Sequence, residues 1–295
     1  MMAVLDEMFV KMRQVTHLGR VVDPRYWTNA VILAMSALAA VGYGLYRVAT
    51  ETPLLEAAGL AGAAGGGVFV AWVISRELSP DHEVTSLLAG VVAFVGAVWL
   101  GPLDILVIAV AAIGLRVVAR TTGLSPLIGD YALVAATAGL AAAFGGWPLV
   151  VLAVVGLVLN AVWEPDGRGL AWTGVALVAV VATIAGAVAV GLRGGPLQYA
   201  AVFALPLAIV PITKALVAAL GMWVTPIGRW ARCDVTGAPV ESRRVRAAQV
   251  LGLLMALAFY AWTGNVGLAS LWPLWAALVV IPLGVVEESL RGKTA

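Results

Sequence analysis

Residues 54–100 read LLEAAGLAGAAGGGVFVAWVISRELSPDHEVTSLLAGVVAFVGAVWL: two apolar runs, each long enough for a membrane helix, joined by one charged turn. The turn gathers Arg76, Glu77, Asp81, His82 and Glu83, five titratable side chains in eight residues. Pro80 discourages a helix from running through, because proline has no N–H and clashes with the preceding turn. Ser79 or Asp81 is expected to cap the following helix by accepting its free N–H groups. The stretch reads as a membrane hairpin with a polar elbow.

The rest of the chain repeats that plan. Of 295 residues, 62% are hydrophobic and 12% charged, where soluble domains carry about 25% charged residues. Apolar spans fall near 27–47, 53–75, 84–101, 103–119, 125–145, 147–163, 169–192, 197–224, 247–262 and 268–286. At roughly 20 residues per crossing, the expected fold is an all-α polytopic membrane bundle of about ten transmembrane helices. The 33 glycines are spread through the spans, as expected where helices pack closely in lipid. The segments ELSPDHE, RTTGLSP and EPDGRG recur every 40 to 45 residues at successive turns, the spacing any array of hairpins has.

Five regions follow. Residues 1–25 set Val4, Leu5, Met8, Phe9, Met12 and Val15 on one helical face among basic residues, the pattern of an amphipathic surface helix rather than a signal peptide. Residues 26–224 form an eight-span core, 225–246 a basic loop, 247–286 a C-terminal pair of short spans, and 287–295 a tail. Pro273 and Pro282 mark the last span as irregular or re-entrant. On this layout fifteen of the eighteen Lys and Arg lie on one side, Arg47 and Arg193 lie on the other, and Lys214 sits within a span. The positive-inside bias then sets both termini in the cytoplasm and the chain in the cytoplasmic membrane. Trp27, Trp72, Trp99, Trp147, Trp163, Trp223, Trp230 and Trp262 fall near span ends, where indoles favour the interface. One cysteine, Cys233, excludes an internal disulfide, and two histidines argue against a multi-histidine metal centre. Basic residues sorted by sidedness give no reason to expect nucleic acid.

Four features carry candidate chemistry. Lys214 lies deep in a span after Pro211, where an ionised group needs a partner or water. Asp130, near the inner end of its span, is the expected counter-charge, and Asn160 joins them on the expected route of an ion or solute. Arg76, Glu77, Asp81 and Glu83 of the first turn, with Glu164 and Asp166 of NAVWEPDGRG, form a cytoplasmic polar cluster. Arg229, Arg232, Arg243, Arg244 and Arg246 of the basic loop are expected at anionic lipid headgroups.

These features support a carrier or channel for a small ion or polar solute, needing no cofactor, with the lipid bilayer as its first partner. A non-catalytic assembly subunit, as a homo-oligomer or in a membrane complex, is the alternative suggested by so few polar residues. A third follows from the paired acidic clusters, Glu77/Asp81 and Asn160/Glu164, which are similar to those of the membrane prenyltransferase superfamily. That resemblance implies a lipid-linked enzyme with Mg²⁺ and a diphosphate. Pro80 interrupts the first cluster, however, and Asn160 stands where the second needs an acid. EESLR, Glu287 to Arg291, carries the paired glutamates of intramembrane metalloproteases, but His17 and His82 both lie outside the spans. Its glutamates are expected in water at the end of the last helix.

Overall fold

The computed structural model describes residues 15–18, 22–101, 103–143, 146–164, scattered helical positions between 171 and 185, 209–227 and 231–291. Apart from one isolated bridge between Arg232 and Pro239, its regular structure is helical among these residues. The helices are α1 Trp27–Ala49, α2 Leu54–Leu78, α3 Glu83–Leu100, α4 Ile105–Ala119, α5 Ile128–Ala143, α6 Trp147–Trp163, α7 Ile209–Val224, α8 Ser242–Thr263, α9 Asn265–Ser270, α10 Trp272–Val279 and α11 Leu283–Arg291.

Local chemistry explains where they stop. Pro80 follows the C-cap Ser79 of α2, α3 ends at Gly101 with φ 85°, and α8 ends at Gly264 with φ 63°. Those positive φ values are at ease only without a Cβ. Asp104 caps α4 by accepting from Leu106 and Val107 N–H at 3.0 and 3.1 Å. Proline stands in the first turn of both α6 and α10, where its missing N–H is not needed.

Four helices, α1, α2, α3 and α8, are long and apolar enough to cross a membrane, and α10 with α11 makes a fifth if the pair, bent by 44°, is one span. The molecule is thus a helical membrane protein. Helices α4 to α7 fall near expected spans but have 15 to 17 residues. At 1.5 Å per residue they extend about 23–26 Å, less than the ~30 Å hydrocarbon core. Much of the expected 169–192 span, Arg168, Arg193, Arg229 and most of residues 1–25 lie outside the described residues.

At the centre is α10, buried at every position from Trp272 to Leu278 and packed on α2, α3, α4, α7 and α8. A short helix buried all round is core, not lipid-facing. Trp272 lies over Gly67 of α2 and against Gly96 of α3, and its Nε1 donates to Gly101 O at 3.1 Å. Trp27, Trp99, Trp223 and Trp262 are exposed at helix ends. Trp72 is buried between Ile32, Val68 and Leu87 instead, so its indole fills the α1–α2–α3 interface.

Candidate functional site

Helix ends leave backbone groups without partners, N–H groups at the start and carbonyls at the finish. At one end of this bundle α2, α4, α6 and α7 finish while α3, α5 and α8 begin, so both kinds accumulate together. The charged residues of the sequence meet that demand by sign.

The first turn of α8 faces the finishing helices. Arg244, 2% exposed, donates to Asn160 Oδ1 at 3.0 Å and to Trp163 O, the last residue of α6, at 3.4 Å. Arg246 donates to Thr225 O at 2.6 Å and to Met222 O at the end of α7. Gln249 donates to Leu78 O, the last residue of α2, at 2.7 Å. Positive charge at a helix C-terminus also suits the macrodipole. Arg244 and Arg246 therefore serve the protein interior, not the lipid headgroups expected for them. Arg232 and Arg243 are exposed, and Arg243 pairs with Glu241 at 2.9 Å.

The start of α3 is held from afar. Glu287 of α11, 8% exposed, accepts from Val84 N–H at 3.3 Å and from Thr85 N–H and Oγ1 at 2.8 and 2.9 Å. The cap expected from Ser79 or Asp81 is thus supplied by a residue 203 positions on, and the glutamate expected in water is buried. Ser79 Oγ instead meets His82 Nδ1 at 2.9 Å, and Asp81 Oδ1 accepts from Ala231 N–H at 2.5 Å. Arg291 donates to Asp81 O at 3.0 Å and to Glu287 at 2.7 Å. The elbow is packed, not a solvated connector.

His82 is buried beneath α11, its ring against Gly284. Burial holds its pKa below the ordinary imidazole value, opposed by the nearby negative charges of Glu287, Asp81 and Glu288, while Arg291 adds to the lowering. A lowered imidazole pKa means the unfolded chain binds the proton more readily, so stability is lost as pH falls below about 6.5. The melting temperature of the purified protein should fall between pH 7.5 and 5.5, and His82→Gln should flatten that slope. An unchanged slope in the variant would place the acid sensitivity elsewhere.

The expected acidic pairs meet positive and hydroxyl groups. Glu77, 1% exposed, accepts from Thr121 Oγ1 and lies 3.5 Å from Arg116. Glu164 pairs with Arg120 at 2.9 Å and accepts from Ser125 Oγ at 2.6 Å. Asn160 donates to Tyr131 Oη at 3.2 Å. Asp166 lies outside the described residues. Among the described residues no three His, Cys, Asp or Glu side chains are grouped to hold a metal ion. Glu77 and Glu164 each face an arginine, Arg116 and Arg120.

Asp130, fully buried, accepts from His17 N–H at 3.0 Å, from Leu127 N–H at 2.8 Å and from Thr16 Oγ1. It ties residues 16–18 to the start of α5, and the expected Lys214 partner is not among its contacts. Lys214 is half-buried on α7, one turn after the buried Pro211. Asp130→Ala should cost about 1–3 kcal/mol by stranding buried donors, whereas Lys214→Met should stay within about 0.5 kcal/mol. Chemical unfolding in micelles reads both. Equal losses in the two variants would restore the ion pair.

Arg76, Asp81 and Glu83 do come together, around a cavity of about 280 Å³ that Arg232, Asp234 and Arg291 complete. Its floor is fixed by backbone bonds from Asp234 and Val235 N–H to Thr121 and Thr122 O, at 3.2 and 3.4 Å. Arg232, Asp234 and Arg291 reach it from segments distant in sequence, and only the charge density of residues 225–246 hinted at the first two. The site belongs to a helical membrane protein with a charged cavity at one end of its bundle. No family model, curated protein or solved structure matches the chain.

Proposed function

We propose that the protein is a carrier for a small polar solute, embedded in the cytoplasmic membrane by about ten crossings with both termini and the charged end in the cytoplasm. The observation that supports this most is the charged cavity, assembled from the α2–α3 elbow, residues 231–240 and Arg291. Six charged residues from three separate segments line one volume there. The sidedness rests on the fifteen basic residues that the ten-span layout assigns to this end. Lys214 and Pro211 lie farther along α7, eleven and fourteen residues before Thr225, so about 16 to 21 Å at helical rise. They remain the second polar position on the solute's route.

Counterflow in proteoliposomes tests the proposal, using labelled amino acids, phosphate and ethanolamine. Uptake above protein-free vesicles is expected for at least one, with loss of flux in Lys214→Met at normal thermal stability. No uptake of any of them, or full flux in the variant, contradicts this route.

An assembly role is the alternative that one observation favours. Helix α1 buries less of its apolar length than α2, α3 or α8, leaving Leu38, Val41, Leu45 and Tyr46 exposed. Native mass spectrometry showing a fixed oligomer or stable partner, together with absent flux, would select it.

A further inference from the structure

We infer that the cavity at the charged end binds a small zwitterion, a molecule carrying one ammonium group and one phosphate group. This rests on the solute-site assignment above and names the chemical class. The volume of about 280 Å³ is far more than a single water needs, so the site has room for a small organic solute.

The lining sets the class. Three arginines, Arg76, Arg232 and Arg291, and three acids, Asp81, Glu83 and Asp234, line one volume. Both signs stand on both walls: Arg76, Asp81 and Glu83 on the elbow, and Arg232 and Asp234 on the facing loop. A simple anion that approaches the arginines also meets three carboxylates, and a simple cation meets three arginines. Such like-charge juxtapositions exclude wrong partners as effectively as contacts favour right ones. A zwitterion satisfies both sets at once. Arg76 and Glu83 lie 3.4 Å apart, longer than the 2.7–2.9 Å of a tight charge-assisted bond.

The site is also held in place independently of any ligand. Asp81 is fixed by Ala231 N–H, Arg291 by Asp81 O and Glu287, and the loop backbone by residues 121 and 122. Preorganised charges cost less to bind with than mobile ones.

The zwitterion has two sources, a free solute and a lipid headgroup, and one experiment separates them. The purified full chain, in nanodiscs of anionic lipid alone, is titrated by calorimetry with phosphoethanolamine, inorganic phosphate and ethanolamine. A parallel set of nanodiscs carries phosphatidylethanolamine. Phosphoethanolamine is expected to bind at least tenfold more tightly than phosphate or ethanolamine. Arg232→Gln and Asp234→Asn, both on exposed positions, should each weaken it at least tenfold with an unchanged melting temperature. Glu56→Gln, on α2 at the opposite end, should have no effect. Loss of binding in the phosphatidylethanolamine discs identifies the headgroup as occupant; retained binding identifies a free solute. Phosphate binding as tight as phosphoethanolamine, no binding of any probe, or binding indifferent to both cavity variants overturns the inference. Flux of a simple ion with no zwitterion binding would overturn it while leaving the carrier intact.

Discussion

Gly67→Ala is expected to destabilise the protein by about 1–3 kcal/mol, the usual cost of forcing a group into a filled core. A Cβ at position 67 would overlap Cη2 of Trp272 and lie 2.6 Å from its Cζ2. The ring has little room to retreat, because a Cβ at Gly96 would already lie 3.2 Å from Trp272 Cβ, and Nε1 is held by Gly101 O. Trp272→Ala alone should cost more, about 3–5 kcal/mol, through lost burial and the cavity left behind. Combined with it, Gly67→Ala should cost markedly less than it does alone, since the added methyl meets no ring and fills part of the void. Additive losses in denaturant unfolding would show that the α2–α3–α10 junction is not the tight joint described.

Glu287→Ala should cost about 1.5–3 kcal/mol. It strands the Val84 and Thr85 N–H groups in a buried place and frees Arg291. It also removes an anion from the start of α3, where the helix dipole favours one. Ser289→Ala, on the exposed side of the same helix, should change stability by no more than about 0.5 kcal/mol. Equal effects of the two would mean that α11 contributes through its apolar contacts alone.

The four helices long enough to cross a membrane, α1, α2, α3 and α8, were legible because hydropathy is averaged over some twenty residues. The elbow after Leu78 was legible for a local reason, Pro80. Capping was read correctly as a need and wrongly as to its source: Ser79 and Asp81 are the nearest candidates, and no sequence pattern links Glu287 to a helix start 203 residues away. Arg244 and Arg246 show a different failure. A positive residue at the start of a helix opposes that helix's own dipole, and sequence alone does not say whether it turns outward to phosphate or inward to the carbonyls of other helices that finish beside it. These two turn inward because α2, α6 and α7 finish beside the start of α8. The Asp130–Lys214 pairing assumed that a buried charge seeks an opposite charge, but four donors from residues 16–18 and Leu127 already satisfy Asp130. Trp72 was read from its place near a span end, where facing direction, invisible to hydropathy, decides between interface and core.

The proposed carrier requires the charged end with its cavity to face the cytoplasm, and labelling tests that orientation directly. Cys233 is buried and would be a poor reporter, so the background is Cys233→Ser. Into it go Arg243→Cys, at the start of α8 with its side chain 66% exposed, and, separately, Thr50→Cys, exposed after α1 at the opposite end. An impermeant maleimide applied to intact cells is expected to label Thr50→Cys at once and Arg243→Cys only after lysis. Labelling of Arg243→Cys in intact cells, with Thr50→Cys protected until lysis, would contradict the assignment.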